Sequence, residues 1–163
     1  MNGGHRFDPT VLREYDIRGV VGRTLDRDDA EAVGRAFATI VMRGGSSKTI
    51  CVGYDGRISS PNLEAALIAG LNAAGANVIR IGLGPTPMLY YSVHCLETDG
   101  GIMVTGSHNP PDYNGFKLMR GKGGFFGSDI VALGERSARG NWLAHVGNSS
   151  DHDISGSYVD RLL

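Results

Sequence analysis

The sequence predicts an α/β fold: a three-layer α/β/α domain on a mixed, mostly parallel sheet covered by helices on both faces. Two observations carry this. Segments of β-branched, apolar character alternate along the chain with segments of helical period. The strand segments are unbroken apolar runs, such as Ile102-Met103-Val104, which marks strands buried on both sides. The 163 residues suit one domain and suffice to bury a core.

The elements follow in order. Residues 1–6 read as a loose start, and Asp16–Val21 as a short strand entered through Arg13 and Tyr15. A helix is expected over about Asp28–Met42, capped by Asp26, with Ala30, Val33, Phe37, Ile40 and Val41 as its apolar stripe. Gly44 and Gly45 end it. Lys48–Gly53 is a β-branched strand. Ser60 is expected to cap the next helix, with Pro61 at its first position and Leu63, Ala66, Leu67, Gly70 and Leu71 inward. Asn77–Ile81 is a strand, GLGPTP a rigid loop and Pro87–Leu96 a helix. Gly101–Thr105 is a buried strand. Gly115–Met119 is another, with Phe116 and Leu118 on one face. After a glycine-rich turn, Ser128 is expected to cap a helix to about Arg139. Asn148–Asp153 is polar and linker-like. Tyr158, Val159, Leu162 and Leu163 then begin an apolar helical stripe that stops after about two turns with nothing to pack on. Residues 1–147 are thus read as one domain, and 148–163 as a linker with the truncated start of the next.

Composition narrows the function. The formal net charge of −1 gives no field toward nucleic acid or an anionic membrane, and no segment has the apolar length of a bilayer span. The N-terminus lacks a hydrophobic signal core, so a cytoplasmic location is expected. Cys51 and Cys95 lie in apolar segments and read as buried free thiols, with no metal-ligand spacing around them. Glycine, 25 of 163 residues, is about twice its usual share. Many glycines stand at predicted strand ends, where a backbone turns tightly or approaches a ligand.

The most specified stretch is TGSHNPPDYNGFKLM, residues 105–119. A serine in a Gly/Pro/Asn turn needs no function. Here, however, Gly106 frees the backbone before Ser107, Pro110 and Pro111 fix the exit, and Asn114-Gly115 reads as a tight turn into the next strand. A loop stiff on both sides places Ser107 accurately, beyond the carboxyl end of a strand, where α/β sheets bind ligands. A serine hydroxyl is a poor nucleophile without a partner that takes its proton. His108 is adjacent, Lys117 returns on the following strand, and Arg18 comes from another strand end. Cations beside a serine suit phosphoryl transfer, where charge builds on equatorial oxygens, better than acyl transfer. The rival motifs are missing: there is no G-x-S-x-G elbow and no GxxxxGK[ST] loop, and residues 121–126 narrowly miss GxGxxG.

TGSHNPPDYNGFK closely resembles the phosphoserine loop of the α-D-phosphohexomutases, in the form found in bacterial phosphomannomutase/phosphoglucomutases. REYDIRGVVG at 13–22, GYDGRISSP at 53–61 and GPTPMLYY at 84–91 resemble the same family in the same order. The likeness runs from about Phe7 to the C-terminus, and residues 1–147 would be the family's phosphoserine domain. It implies that Ser107 is the phosphoserine, which gives its phosphoryl group to a sugar hydroxyl, forms a hexose 1,6-bisphosphate and takes back the other phosphoryl group. Mg²⁺ would sit on the Ser107 phosphate, as a hard cation prefers. Lys117 would transfer a proton or clamp phosphate, and Arg18 would support the serine phosphate or Lys117. Tyr15 would border the sugar, while His108 and Asn109 would shape the loop and assist proton transfer or substrate binding. Arg57 is expected to hold the loop structurally, outside the site.

The family's remaining domains are the expected partners of this one, beside the phosphosugar. Its acidic metal loop, Asp-Gly-Asp-Gly-Asp-Arg, is absent from this sequence, so little mutase activity and weak Mg²⁺ binding are expected of this chain alone. The alternative is a non-enzymatic module that binds a phosphosugar or partner and retains the serine as a relic.

Overall fold

A computed structural model describes residues 3–44 and 47–163. The order is β1 (Ile17–Val20), α1 (Arg27–Met42), β2 (Thr49–Tyr54), α2 (Ser60–Ala73), β3 (Asn77–Leu83), α3 (Thr86–Cys95), β4 (Gly100–Val104), β5 (Tyr113–Arg120), β6 (Gly123–Gly124), α4 (Ser128–Arg139), β7 (Ser149–Asp151) and α5 (Ser155–Leu162). The strands form one sheet ordered β1-β5-β4-β2-β3-β7, with β6 paired to β5. β4, β2, β3 and β7 run parallel, whereas β5 runs antiparallel to β4 and β1 antiparallel to β5. The expected mixed, mostly parallel sheet is therefore present, with its antiparallel part at one edge.

Alternation along the strands sorts side chains to two faces. Ile50, Val52, Ile102, Val104, Phe116 and Leu118 join one core with residues of α1, α2 and α4. Cys51, Met103 and Met119 join a second core with Met88, Leu89 and Val93 of α3 and Ile154 just before α5. These are the three expected layers. α3 lies over β2 and β4. On the second face, β1 and β5 instead carry the polar residues Arg18 and Lys117.

Local chemistry explains the ends. Asp26 caps α1 with a reciprocal capping box: its carboxylate accepts from the Arg27 amide at 2.8 Å, and its own amide donates to Asp29 at 2.7 Å. Gly45, expected beside Gly44 at the helix end, lies outside the described residues. Gly140 ends α4 in the left-handed conformation, with φ 65°.

Several expectations are corrected. Ser60 is the first residue of α2, not its cap. Ser59 holds the cap position without a side-chain cap bond, its hydroxyl accepting from Asn114, while the Ser60 hydroxyl donates to Asp55. Likewise Ser128 opens α4, and Gly127 precedes it with φ 58°. Asn114 and Gly115 form no turn. They lie inside β5, paired with Gly19 and Arg18. Ser149–Asp151 of the linker-like stretch forms edge strand β7, which lacks any apolar residue. It is held by backbone pairing to β3, by Asn72 donating to Ser149 at 2.8 Å and by Arg80 donating to Asp151 at 3.1 Å. Cys51 is buried as expected, but Cys95 is exposed, since the last turn of α3 turns Val93, not Cys95, toward the sheet. In α5, Tyr158 packs on Tyr91 while Val159 and Leu162 stay exposed. Among the described residues no helix is long and apolar enough to cross a membrane.

The closest helix packing joins α1 and α2 through glycines. A Cβ on Gly70 would lie 2.1 Å from the Glu31 carbonyl oxygen, and one on Gly34 would lie 2.4 Å from that of Leu67. An exposed helical Gly→Ala change usually stabilises by about 1 kcal/mol. Gly70→Ala is expected to reverse that sign and cost about 1–3 kcal/mol, because the helices must separate. A urea midpoint that rises in Gly70→Ala would contradict the close crossing.

Candidate active site

The parallel strands β2 and β4 end side by side, and the segments that follow them meet. The ladder continues past both ends, because Asp55 donates its amide to Val104 at 2.9 Å and Thr105 donates its amide to Gly115 at 2.9 Å. Residues 105–112 then bulge out as the serine loop before the chain returns antiparallel as β5. Ser107 sits at the tip, exposed, with φ 54°. That left-handed conformation is uncommon for a residue with a side chain and has to be imposed by its surroundings.

Arg57 imposes it. Its guanidinium donates to the carbonyls of Pro110 at 2.5 Å, Tyr113 at 3.1 Å, Ser107 at 3.0 Å and Asn109 at 2.6 Å. One rigid five-donor fork thereby gathers the loop's carbonyls to one side. Gly106 is required by this approach, since a Cβ there would stand 2.1 Å from Arg57 Nε. The loop's glycine thus serves to admit a guanidinium.

Asp55 anchors the other end. Its carboxylate accepts from the Ser60 hydroxyl at 2.5 Å, the Thr105 hydroxyl at 2.9 Å and the amides of Gly106 at 3.0 Å and Arg57 at 3.1 Å, and Arg57 Nε lies 3.5 Å away. Burial pushes this carboxyl up, but the hydrogen bonds from Ser60, Arg57, Thr105 and Gly106 outweigh it and hold it below the usual aspartate value. Beneath lies Asn114, fully buried. Its amide donates to Ser59 at 2.8 Å and Ser60 at 2.9 Å, and its oxygen accepts from Gly115 at 2.8 Å.

The cations stand on the sheet beside this loop. Register places Arg18 opposite Gly115, whose carbonyl takes the Thr105 amide, so Arg18 of β1, Gly115 of β5 and Thr105, just past the end of β4, form one row. Lys117, opposite Met103, is in a row further from the loop on the same face. Arg18 and Lys117 are drawn together by the buried Asp16: Oδ2 of Asp16 bonds the Arg18 guanidinium and lies 3.5 Å from Lys117 Nζ.

The remaining sequence-derived residues are placed as follows. Tyr15 is largely exposed, with its ring 6.0 Å from that of Phe126. His108 is exposed and has no hydrogen-bond partner among the described residues. Asn109 turns inward, its amide and side chain both donating to the Gly106 carbonyl at 3.1 and 3.2 Å. Arg57 holds the loop, as anticipated. Sequence reasoning passed over Asp16, Asp55, Thr105 and Asn114. The available signal was two aspartates abutting apolar strands, since a carboxylate at such a place must find partners if it is buried.

Among the described residues no three His, Cys, Asp or Glu side chains converge as metal ligands. Asp55, the carboxylate nearest the loop, is occupied by hydrogen-bond donors. The described residues of the chain do not by themselves fit a resident Mg²⁺.

A sequence profile described as phosphoglucomutase/phosphomannomutase, alpha/beta/alpha domain I, matches residues 9–137. A phosphomannomutase/phosphoglucomutase of Pseudomonas aeruginosa is 42% identical over 153 residues, 94% of this chain and 33% of its own length. That of Pseudomonas putida is 50% identical over 154 residues, again 94% and 33%. Among solved structures, a phosphoglucomutase/phosphomannomutase family protein from Burkholderia thailandensis matches with TM-score 0.89 at 39% identity, covering 96% of this chain and 36% of its own. The chain spans about a third of the length of the curated relatives it matches.

Asp55 has a lowered carboxyl in the folded state, so its contribution to stability is complete above the unfolded aspartate value, about 3.9, and is lost as pH falls through the folded value. Asp55→Asn is expected to cost about 1.5–3 kcal/mol at pH 7, the range for hydrogen bonds to a charged group. The gap to the parent should narrow below about pH 4. Denaturant titrations at pH 7 and pH 3 check this, and a gap unchanged between them would remove the charge from the explanation.

Proposed function

The chain belongs to the phosphoglucomutase/phosphomannomutase family through its α/β/α domain I, and from this premise we propose that Ser107 carries the phosphoryl group that interconverts hexose 1-phosphate and 6-phosphate. The substrates are mannose and/or glucose phosphates, and a hexose 1,6-bisphosphate is the intermediate. The observation that supports it most is the Arg57 clamp, which presents Ser107 outward in a left-handed conformation beside a sheet face carrying Arg18 and Lys117.

In the transfer, the bond between phosphorus and Ser107 Oγ breaks as a sugar hydroxyl oxygen bonds phosphorus. The hydroxyl's proton leaves to a base, and the departing Ser107 oxygen takes up a proton. The intermediate turns over, and Ser107 Oγ then attacks the other phosphoryl group in the reverse sense. Arg18 and Lys117 offset the charge on the transferring oxygens, and Lys117 is the proton-transfer group or phosphate clamp. Tyr15 borders the sugar, and His108 and Asn109 shape the loop. Mg²⁺ on the Ser107 phosphate would need carboxylates from other domains of the same polypeptide and would supply charge neutralisation there.

Three results are expected. Incubated with glucose 1,6-bisphosphate, the chain gains a phosphoryl group at Ser107, seen by intact mass and fragmentation, and Ser107→Ala gains none. Phosphate on another residue with Ser107 bare would overturn the assignment. In a polypeptide that also supplies the other two thirds of the relatives' length, Ser107→Ala lowers turnover by about three orders of magnitude or more, as loss of a nucleophile does. Alone, the chain shows little or no mutase turnover with glucose 1-phosphate in a coupled assay, and ordinary turnover would refute that.

A further inference from the structure

Asp16 stands between the two cations assigned to the phosphoryl group, and the mechanism above gives it no task. It is 6% exposed, and a single oxygen, Oδ2, serves both Arg18 and Lys117. A carboxylate this deeply placed is tolerated only because both partners are there. Arg18 is not saturated by it: its Nε is buried and has no hydrogen-bond acceptor among the described residues. Buried donors without acceptors are rare and call for an explanation. Arg18 also lies in the row that leads through Gly115 to Thr105, the residue that bonds the Ser107 amide at 3.0 Å.

We propose that Asp16 is a positioning residue that acts as an internal competitor: its carboxylate holds Arg18 and Lys117 but, being negative, limits how tightly they bind a phosphoryl group. The three side chains sum to one positive charge. An incoming phosphate gains two cations and meets one fixed anion at hydrogen-bonding range. The arrangement suits a group that must be given away and taken back, because a site that gripped one phosphorylated state too firmly would trap it. This rests on the reading that phosphoryl oxygens approach Arg18 and Lys117.

A purely structural Asp16 and a competing Asp16 predict opposite signs. If Asp16 only orders the cations, neutralising it frees them and weakens phosphate binding. If it competes, neutralising it strengthens binding. The probe is inorganic phosphate titrated into the purified chain at low ionic strength, followed by the amide shifts of Gly115 and Thr105 and the Nε–H shift of Arg18. Asp16→Asn is expected to bind phosphate about three- to tenfold more tightly than the parent, with the difference shrinking as salt is raised. Equal or weaker binding would overturn the proposal, as would shifts confined to residues away from Arg18 and Lys117, or no binding by either protein.

Asp16→Ser repeats the test without the amide. If neither variant folds, the role is structural and the proposal fails. Labelling of Ser107 by glucose 1,6-bisphosphate is read separately in the parent. A serine that is never labelled, even in a polypeptide that also supplies the other two thirds of the relatives' length, with tighter phosphate binding in Asp16→Asn, would sink the mutase reading and leave the competitor standing. A labelled serine with weaker binding would do the reverse.

Discussion

The carboxylate of Asp55 lies where the ends of β2 and β4 and the start of α2 come together, and the position of the serine loop depends on it. It gathers hydroxyl and amide donors from Ser60, Thr105, Gly106 and Arg57, so segments distant in sequence share one acceptor. Arg57, fixed by this contact, extends the constraint to the loop's far side through four carbonyls. A network with every member satisfied rigidifies its surroundings, whereas a partly satisfied one is costly. That difference allows an exposed serine to be held at a positive φ without any apolar packing of its own.

The mixed sheet has a functional consequence. In an all-parallel sheet the chain leaving β4 would cross over and return far from the loop. Here it turns back directly as β5, which carries Lys117 on the same face as Arg18 of the adjacent β1. The helix on that face, α3, covers β2 and β4. The charged side chains Arg18 and Lys117, on β1 and β5, lie beyond that helix, paired with Asp16 and partly open to solvent. The antiparallel edge and the one-sided helix cover are two aspects of the same arrangement.

Much of the fold was legible because its signals are periodic or positional. The stripe of α1, its Asp26 cap and the apolar runs of β2 and β4 each announce themselves. β7 was not legible, since three exposed polar residues carry no alternation and their hold is backbone pairing with β3. Asn114-Gly115 has the composition of a turn, but the Asn114 amide is engaged by Ser59 and Ser60, and the strand runs through it. Ser60 has the composition of a cap and instead serves Asp55. In the site, Ser107 stood out through the stiffness of its flanks. Asp55 and Asp16 did not, because their importance lies in partners about 50 and 100 residues away along the chain, Thr105 and Lys117.

The same contrast separates the two aspartates in kind. Asp55 accepts chiefly from hydroxyls and amides, with Arg57 Nε 3.5 Å away, and its work is to fix backbone. Asp16 takes side-chain cations, and its charge is felt by whatever those cations hold. A loop that must present one oxygen in one direction needs the first kind of contact, which does not loosen when a ligand arrives. Under the proposed phosphoryl transfer, a cation pair that receives and releases a dianion would need the second, in which an internal anion and an external one share the same positive charge. The chain keeps these two demands on separate residues, so the serine can be rigid while the charge beside it remains exchangeable.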